Sequence, residues 1–312
     1  MQILLDIIAP VFGIIGLGYA AARLGWFSKQ ATDGVGTFVF NFAIPALLFR
    51  SMARLEFPET IEWGFLFAFF GGAYISWAVS MLVSRLVFKR PFGNISIAGM
   101  GGAFGNTVLL GIPLVLTTYG DDGALPIFLI ISFHSWQFFI VVTMLIEGGR
   151  GNRARMRDVP LNILKGLGSN PIMYGLLGGI IWNVLDLPIP AFADSILEML
   201  GRAALPCAIF TIGASLAAYR IAGALPEAGS MVVFKLILHP VAVFVLGTWV
   251  FELDPLWRNV AVIVAAMPIG VNVYLFAQRY DAGVAPVATA MLLSTALSMV
   301  TVALLLHGLG VR

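Results

Sequence analysis

The chain has 312 residues, of which 60% are hydrophobic and 11% are charged, and its mean hydropathy is +0.96. Soluble domains average about 25% charged residues, so a fold in water could not bury this much apolar surface. The composition predicts a polytopic membrane protein, and the net charge of +2 gives no indication of a nucleic-acid partner. The single cysteine, Cys207, excludes an internal disulfide, and no cluster of cysteines and histidines predicts a metal or a cofactor.

Runs of about 18 or more mostly apolar residues predict membrane-spanning helices, and the chain contains ten of them. The runs cover residues 3–23, 34–52, 62–86, 95–118, 124–147, 169–187, 192–217, 228–251, 258–279 and 284–307. No basic segment precedes the first run, which is also too long for a signal peptide, so we expect a retained first span. The sequence therefore predicts an all-α protein with ten transmembrane helices.

Lysines and arginines predict how these helices are oriented in the membrane. Twelve of them lie in the loops after odd-numbered spans, and four lie in the other loops or at the C-terminus. Because basic residues favour cytoplasmic loops, we expect both termini outside the membrane. Lys235, near the cytoplasmic end of the eighth span, is expected to extend its ammonium toward the interface.

The two halves of the chain share three landmarks at an offset of 161 residues. "AIPALLF" at 43–49 resembles "ALPCAIF" at 204–210, Pro10 corresponds to Pro171, and the interrupted stretch 106–113 corresponds to 267–274. We therefore predict two five-helix repeats, 1–148 and 169–312, joined by a basic cytoplasmic linker at 149–168. Because five is odd, the second repeat must enter the membrane inverted.

The fourth and ninth spans are interrupted by glycine, proline and asparagine, in "GNTVLLGIP" at 105–113 and "MPIGVNVY" at 267–274. Backbone groups freed by a break cannot be satisfied by lipid, so each break must face protein or a watery cavity. Inverted repeats with broken helices are typical of secondary transporters and indicate a substrate site near the midplane. Half-helix N-termini attract anions, whereas freed carbonyls could hold a cation. Alternatively, these residues only relieve helix packing.

Two ionisable residues inside the spans are candidate substrate contacts. His134, in "IISFHSWQFF", could bind a carboxylate or carry a proton, or it could be a packing histidine bonded to nearby backbone. Arg202, four residues before Pro206, could bind an anion in the bidentate manner of arginine, or it could pair with Glu198. No acidic pair lies deep in any predicted helix, and no nucleophile motif or nucleotide-binding motif is present, so we expect a transporter and not an enzyme.

Four helix motifs resemble those of the auxin efflux carrier family, which includes plant PIN-formed exporters and bacterial malonate or other organic-acid permeases. They are "NFAIPALLF", "GNTVLLGIPLV", "NPIMYGLLGGIIW" and "MPIGVNVYLFAQRYD", which are similar to the second, fourth, sixth and ninth helices of that family. The resemblance implies two inverted five-helix repeats whose helices 4 and 9 cross at their broken centres. This architecture is like that of sodium/proton antiporters or bile-acid symporters.

The resemblance also implies the residues that bind substrate at this crossover. One arm would contain Asn106, Thr107, Gly111 and Pro113, and the other would contain Pro268, Gly270 and Asn272. His134 falls where plant members have a polar site residue in helix 5. Arg202 departs from the plant pattern and would suit a second carboxylate.

The short basic linker, in place of the long central loop of plant members, favours a bacterial-type carrier of small mono- or dicarboxylates such as malonate. The expected location is the bacterial inner membrane, the coupling ion is a proton or sodium, and a homodimer is one expected assembly. Two alternatives remain open. One is a sodium-coupled symporter of the bile-acid transporter type, and the other is a membrane sensor that binds the anion without moving it.

Overall fold

The computed structural model describes residues 9–55, 63–149, 168, 170–218 and 224–311, so the expected linker lies almost entirely outside the described residues. Within these ranges the secondary structure is helical, apart from one isolated antiparallel bridge between Gly105 and Ile269. The all-α class is therefore confirmed for the described part of the chain.

The helices follow the predicted apolar runs closely in position. They are α1 (Ala9–Arg23), α2 (Lys29–Phe38), α3 (Ile44–Ala53), α4 (Trp63–Leu86), α5 (Phe92–Ala103), α6 (Ile112–Tyr119), α7 (Ala124–Gly149), α8 (Pro171–Val184), α9 (Ala191–Leu216), α10 (Leu225–Val233), α11 (His239–Val245), α12 (Pro255–Ala265), α13 (Val271–Tyr280) and α14 (Val284–Gly308). Short π-helical turns at Val39–Ala43, Thr107–Gly111, Phe234–Leu238 and Leu246–Val250 join or extend several of them.

Six helical stretches in the described ranges are long and apolar enough to cross a membrane. They are Lys29–Ala53, Trp63–Leu86, Thr107–Gly149, Ala191–Leu216, Leu225–Val250 and Val284–Gly308. Ala9–Arg23, Pro171–Val184 and Pro255–Ala265 are apolar but shorter. These helices support a multi-pass membrane protein, while the count of ten spans and the inverted repeats stay predictions.

Three of the π-helical turns have a cause that can be read from the sequence. Each of them ends two residues before a proline, namely Pro45, Pro113 or Pro240. Proline has no N–H to donate to the carbonyl four residues earlier, and its ring crowds that carbonyl. The helix therefore widens by one residue before the proline instead of stopping.

The first of two compact units contains residues 1–61, 112–128 and 165–218. Helix α1 packs on α9, and α3 packs on α8. Glycines allow this close packing: a Cβ on Gly179 would lie 2.6 Å from the carbonyl oxygen of Phe49. Arg50 of α3 reaches α9, where its Nε lies 2.8 Å from Asp194 and its Nη2 lies 3.1 Å from Glu198.

The second unit contains residues 62–111, 129–164 and 219–312, and it includes both interrupted stretches. Helix α4 packs on α5 and on α11, again through glycine contacts. A Cβ on Gly72 would lie 2.9 Å from the backbone nitrogen of Val243, and one on Gly102 would lie 2.8 Å from Cβ of Ser80. This packing brings the breaks together within one unit.

Candidate functional site

The two interrupted stretches pair with each other through their backbones. Helix α5 ends at Ala103 and α12 ends at Ala265, and extended segments follow both. The N–H of Asn106 donates to the carbonyl of Pro268 at 2.8 Å, and the N–H of Gly270 donates to the carbonyl of Phe104 at 3.1 Å. The two breaks therefore satisfy part of each other's backbone hydrogen bonding.

Glycine at position 270 is required by this pairing. A Cβ there would lie 2.8 Å from two ring atoms of Phe104 and 3.0 Å from the carbonyl oxygen of Gly105. The neighbouring atoms include backbone, so they cannot turn away as the end of a side chain could. The close approach of the two segments thus depends on the missing side chain.

Buried hydroxyls satisfy backbone groups that the breaks leave free. In a continuous helix the carbonyl of Gly102 would accept a hydrogen bond from the N–H of Asn106. Here that N–H donates to the other broken segment, and the Gly102 carbonyl accepts from Ser76 Oγ at 2.7 Å instead. The N–H of Ile269 donates to Ser294 Oγ at 3.1 Å. Both serines are fully buried, so the breaks are held by specific side chains and not by solvent.

Lys235 satisfies a carbonyl at the second break. Its ammonium donates to the carbonyl of Ala265, the last residue of α12. The side chain is fully buried, so the expectation that Lys235 extends to the interface is wrong. Lys235 lies ten residues after Leu225, about 15 Å along a helix, which is about half the thickness of the hydrocarbon core.

Two histidines lie close to this lysine. His239, one turn later, places Nδ1 3.3 Å from the lysine Nζ. His134 of α7 is also buried and interacts electrostatically with Lys235. Neither ring nitrogen of His134 has a hydrogen-bond partner among the described residues, so its alternative role as a histidine bonded to nearby backbone is not observed.

Aromatic rings surround the imidazole of His134. Its ring centroid lies 4.4 Å from that of Phe104, 5.0 Å from that of Phe138 and 6.2 Å from that of Phe69. Because Phe104 accepts the hydrogen bond from Gly270, His134 lies directly beside the paired breaks. A lysine ammonium and an imidazole that has no partner among the described residues thus share one largely apolar region of the second unit.

The structure brings together most of the predicted site residues. Asn106, Thr107, Gly111, His134, Pro268, Gly270 and Asn272 all belong to the second unit. The breaks are shorter than expected, since Thr107 and Gly111 lie in a π-helical turn and Asn272 lies in α13. Asn106 and Asn272 are partly exposed, as a contact for a ligand requires.

Two predicted site residues belong to the first unit. Pro113 is buried in α6, and α6 belongs to the first unit. Arg202 is in α9 of the same unit, with 79% of its side chain exposed, and it pairs with Glu198, as the alternative interpretation expected. Their roles as substrate contacts stay predictions.

Three residues that hydrogen-bond to backbone groups at the breaks were not predicted from the sequence: Ser76, Ser294 and Lys235. Serines are common in membrane helices, and nothing in their spacing distinguished these two. For Lys235 a signal existed, because it stands in "FKLILHP", in the middle of an apolar run, and an ionisable residue at that depth indicates function. Within the described ranges, no group of three or more histidine, cysteine or acidic residues could hold a metal ion.

Comparisons with known proteins find relatives along nearly the whole chain. Residues 3–306 match the family described as "Membrane transport protein". A "Putative malonate transporter" of Rhizobium meliloti (strain 1021) is 29% identical over 301 residues, which cover 96% of this chain and 94% of the relative. "Auxin efflux carrier component 8" of Arabidopsis thaliana is 25% identical over 335 residues, with 87% of this chain and 88% of the relative covered.

A longer relative also matches. "Lysosomal cholesterol signaling protein" of Mus musculus is 27% identical over 310 residues, which cover 92% of this chain and 35% of that protein. The resemblance to the auxin efflux carriers inferred from four helix motifs is thereby confirmed. Because the family match runs over nearly the whole sequence, the chain belongs to the membrane transport protein family that includes the auxin efflux carriers.

Proposed function

We propose that the protein is a secondary transporter that moves small organic anions across the membrane by alternating access. The substrate class is mono- or dicarboxylates such as malonate, in line with the name of the Rhizobium relative. The observation that carries the proposal is the backbone pairing of the two broken helices at Gly105 and Ile269. Broken helices that meet inside an apolar protein are the usual way for a transporter to expose backbone dipoles to its substrate.

The polarity of the paired breaks suits an anion. The π-helical turn that begins at Thr107 and the helix α13 that begins at Val271 both have their N-terminal ends at the breaks. Such ends carry partial positive charge and unpaired N–H groups. In its protonated form Lys235 adds a positive charge, and no described acidic side chain forms an ion pair with it. A carboxylate near the crossover would therefore meet a positive potential.

The side chains nearest the breaks have the donors that a carboxylate needs. Asn106 and Asn272 carry amide N–H groups, Thr107 a hydroxyl, and His134 ring nitrogens without a partner in the described part of the chain. We propose these four as substrate contacts, together with the backbone at Gly270. Gly111 and Pro268 shape the segments that present them.

The topology belongs to the same proposal. We propose ten spans arranged as inverted repeats, 1–148 and 169–312, in a bacterial inner membrane with both termini outside. The twelve basic residues in odd-numbered loops support this orientation. Single cysteines placed near each terminus of a Cys207→Ser background should react with an impermeant maleimide added outside intact cells. Reaction only after lysis would contradict the orientation.

Counterflow exchange in proteoliposomes tests the transport activity. Vesicles loaded with unlabelled malonate should accumulate labelled malonate, and Asn106→Ala should lower the initial rate by at least about tenfold because it removes a donor to the carboxylate. The matched control is Gln278→Ala, which removes an exposed amide at the far end of α13. It should exchange at the wild-type rate.

The same experiment separates the alternatives. Exchange that needs sodium would favour a symporter of the bile-acid type. Saturable binding of malonate, with no exchange of malonate or of any other carboxylate tested, would favour a sensor and contradict the proposal.

A further inference from the structure

We propose that one face of α9 lines a water-filled passage that admits small anions from the outer side toward the middle of the membrane. This inference rests on the proposed function and adds a route by which the substrate leaves bulk water. The α9 face is defined by exposed side chains at intervals of three or four residues, namely Phe192, Ile196, Met199, Arg202 and Pro206. This spacing places them on one side of the helix.

The charged member of the α9 face is Arg202. It lies eleven residues after Ala191, where α9 begins, and therefore about 16 Å along the helix. That is about half the thickness of the hydrocarbon core, yet 79% of the side chain is exposed. An arginine at this depth is costly in lipid and usually faces water or a polar partner. Arg202 therefore indicates water beside α9 at the depth where secondary transporters bind substrate.

A chain of ion pairs connects Arg202 to the end of α9 that the proposed topology places outside. Arg202 pairs with Glu198, whose other partner is Arg50 at 3.1 Å. Arg50 also lies 2.8 Å from Asp194, and Asp194 lies 2.7 Å from Arg54. Charged side chains thus follow one another at every turn over the outer half of α9, a pattern that lipid disfavours and water satisfies.

The polarity of this charge chain favours anions at its inner end. The signs alternate and both ends are arginines, so the chain holds three positive and two negative groups. Asp121 interacts electrostatically with Arg50 and adds a negative charge there. At the inner end Glu198 is shared by two arginines, so it does not fully neutralise Arg202. Because its guanidinium is already paired, Arg202 would attract an anion without holding it.

The exposed face of α8 provides the contrast within the same unit. It consists of Tyr174, Leu177, Ile181 and Val184, which also follow one another at intervals of three or four residues. None of these four residues is charged, as is typical of a helix face against lipid. The charges along α9 are therefore not a general property of exposed helix faces in the first unit.

Cysteine labelling in proteoliposomes tests whether water reaches the α9 face. Single cysteines are placed in the full-length Cys207→Ser protein, with both orientations present, so that the result does not depend on the proposed topology. Met199→Cys, at a side chain 74% exposed, should react with an impermeant maleimide at least about tenfold faster than Leu177→Cys, because the reactive thiolate forms in water and not in lipid. Leu177 is the matched control, since it is 53% exposed near the middle of α8.

Charged reagents test the preference for anions. Anionic and cationic methanethiosulfonates are applied to Met199→Cys, and each rate is divided by the rate of the same reagent with a free thiol in solution. The anionic reagent should be favoured, and adding Arg202→Gln should lower the anion-to-cation ratio at least about threefold, since a unit charge one helical turn away is lost. Lys29→Gln, at an exposed pair outside the α9 face, should leave the ratio unchanged.

Three results would overturn the proposal. Labelling of Met199→Cys as slow as that of Leu177→Cys would mean that lipid covers the face, and slow labelling with a copper-catalysed disulfide between two chains would mean that a second copy covers it. A ratio that Arg202→Gln leaves unchanged would exclude a passage that favours anions. Arg202→Cys gives the same accessibility test if Met199→Cys does not fold. Labelling does not require transport, so a protein that is labelled as expected but exchanges no carboxylate contradicts the proposed function alone.

Discussion

The two breaks of the second unit are alike in backbone and different in charge. At each, a helix stops, and an N–H from the segment beyond it donates across to the other segment. At the first break one freed carbonyl, that of Gly102, accepts from the neutral hydroxyl of Ser76. At the second break one freed carbonyl, that of Ala265, accepts from the ammonium of Lys235.

The difference shows that the backbone pairing of the two breaks and the charge beside them depend on different residues. Backbone pairing depends on glycine and on the short extended segments, whereas the charge depends on one side chain from a helix outside both breaks. A hydroxyl satisfies a carbonyl without changing the net charge, but an ammonium adds positive charge beside the paired breaks. We therefore expect the loss of the ammonium to weaken the binding of an anionic substrate more than the loss of the hydroxyl.

The largest effect should come from Gly270→Val, which tests the pairing itself. Its side chain would collide with the ring of Phe104 and with the carbonyl of Gly105, and the Gly270–Phe104 hydrogen bond would be lost. We expect exchange to fall to the level of empty vesicles. Gly229→Ala is the matched control, because nothing lies within 4 Å of a Cβ there. A folded Gly270→Val variant with wild-type exchange would show that the pairing is not needed for transport.

Gly105→Ala should have a smaller effect, because its Cβ would meet mainly the flexible end of a side chain. The nearest atoms are Cε and Nζ of Lys235 at 3.1 Å, followed by Cβ of Met267 at 3.5 Å. The ammonium must move by a few tenths of an ångström, which should weaken its contact with Ala265 and lower exchange by about tenfold. The initial rate of malonate counterflow measures this. If Gly105→Ala impairs exchange as strongly as Gly270→Val, the two breaks are equally rigid and the contrast between them does not hold.

Ser76→Ala should affect stability more than transport. Ser76 Oγ donates to the carbonyl of Gly102 at 2.7 Å and also lies 3.0 Å from that of Phe234, both in a buried region. Removing the hydroxyl leaves the Gly102 carbonyl unsatisfied and should cost about 2 kcal/mol. Thermal unfolding in detergent should show a lower melting temperature, with exchange reduced by less than about threefold because no charge is lost. Ser195→Ala, at an exposed serine bonded to its own helix, should not shift the melting temperature.

The positions of the breaks could be predicted from the sequence, because proline, glycine and asparagine together inside an apolar run disfavour a continuous helix. The segments around Asn106 and Pro268 do interrupt their helices, and the family resemblance is confirmed. The exact limits of the breaks were not predicted, because Pro113 widens the preceding turn instead of ending a helix. That outcome depends on packing that local sequence does not contain.

The side chains that hydrogen-bond to the backbone groups freed at the breaks could not be predicted from the sequence. Ser76, Ser294 and Lys235 come from three different helices, and their partners are backbone carbonyls or N–H groups that carry no sequence signal. The expected position of Lys235 was too close to the interface because the predicted span began at residue 228, only seven residues before the lysine. Counting from the start of the helix at Leu225 puts the lysine near the middle.

The smallest effect is expected for Arg202→Gln, which tests whether Lys235 is the only fixed charge that the substrate meets. The Arg202 side chain is 79% exposed, and Glu198 keeps a second partner in Arg50 at 3.1 Å when Arg202 is removed. An exposed pair of this kind contributes less than about 1 kcal/mol, so exchange of mono- and dicarboxylates should change by less than about twofold. Arg50→Gln is the informative comparison, because Arg50 binds both Asp194 and Glu198 and its loss should lower the melting temperature more. A loss of dicarboxylate exchange with monocarboxylate exchange intact would instead establish Arg202 as the contact for a second carboxylate, and the positive charge of the site would then not belong to the second break alone.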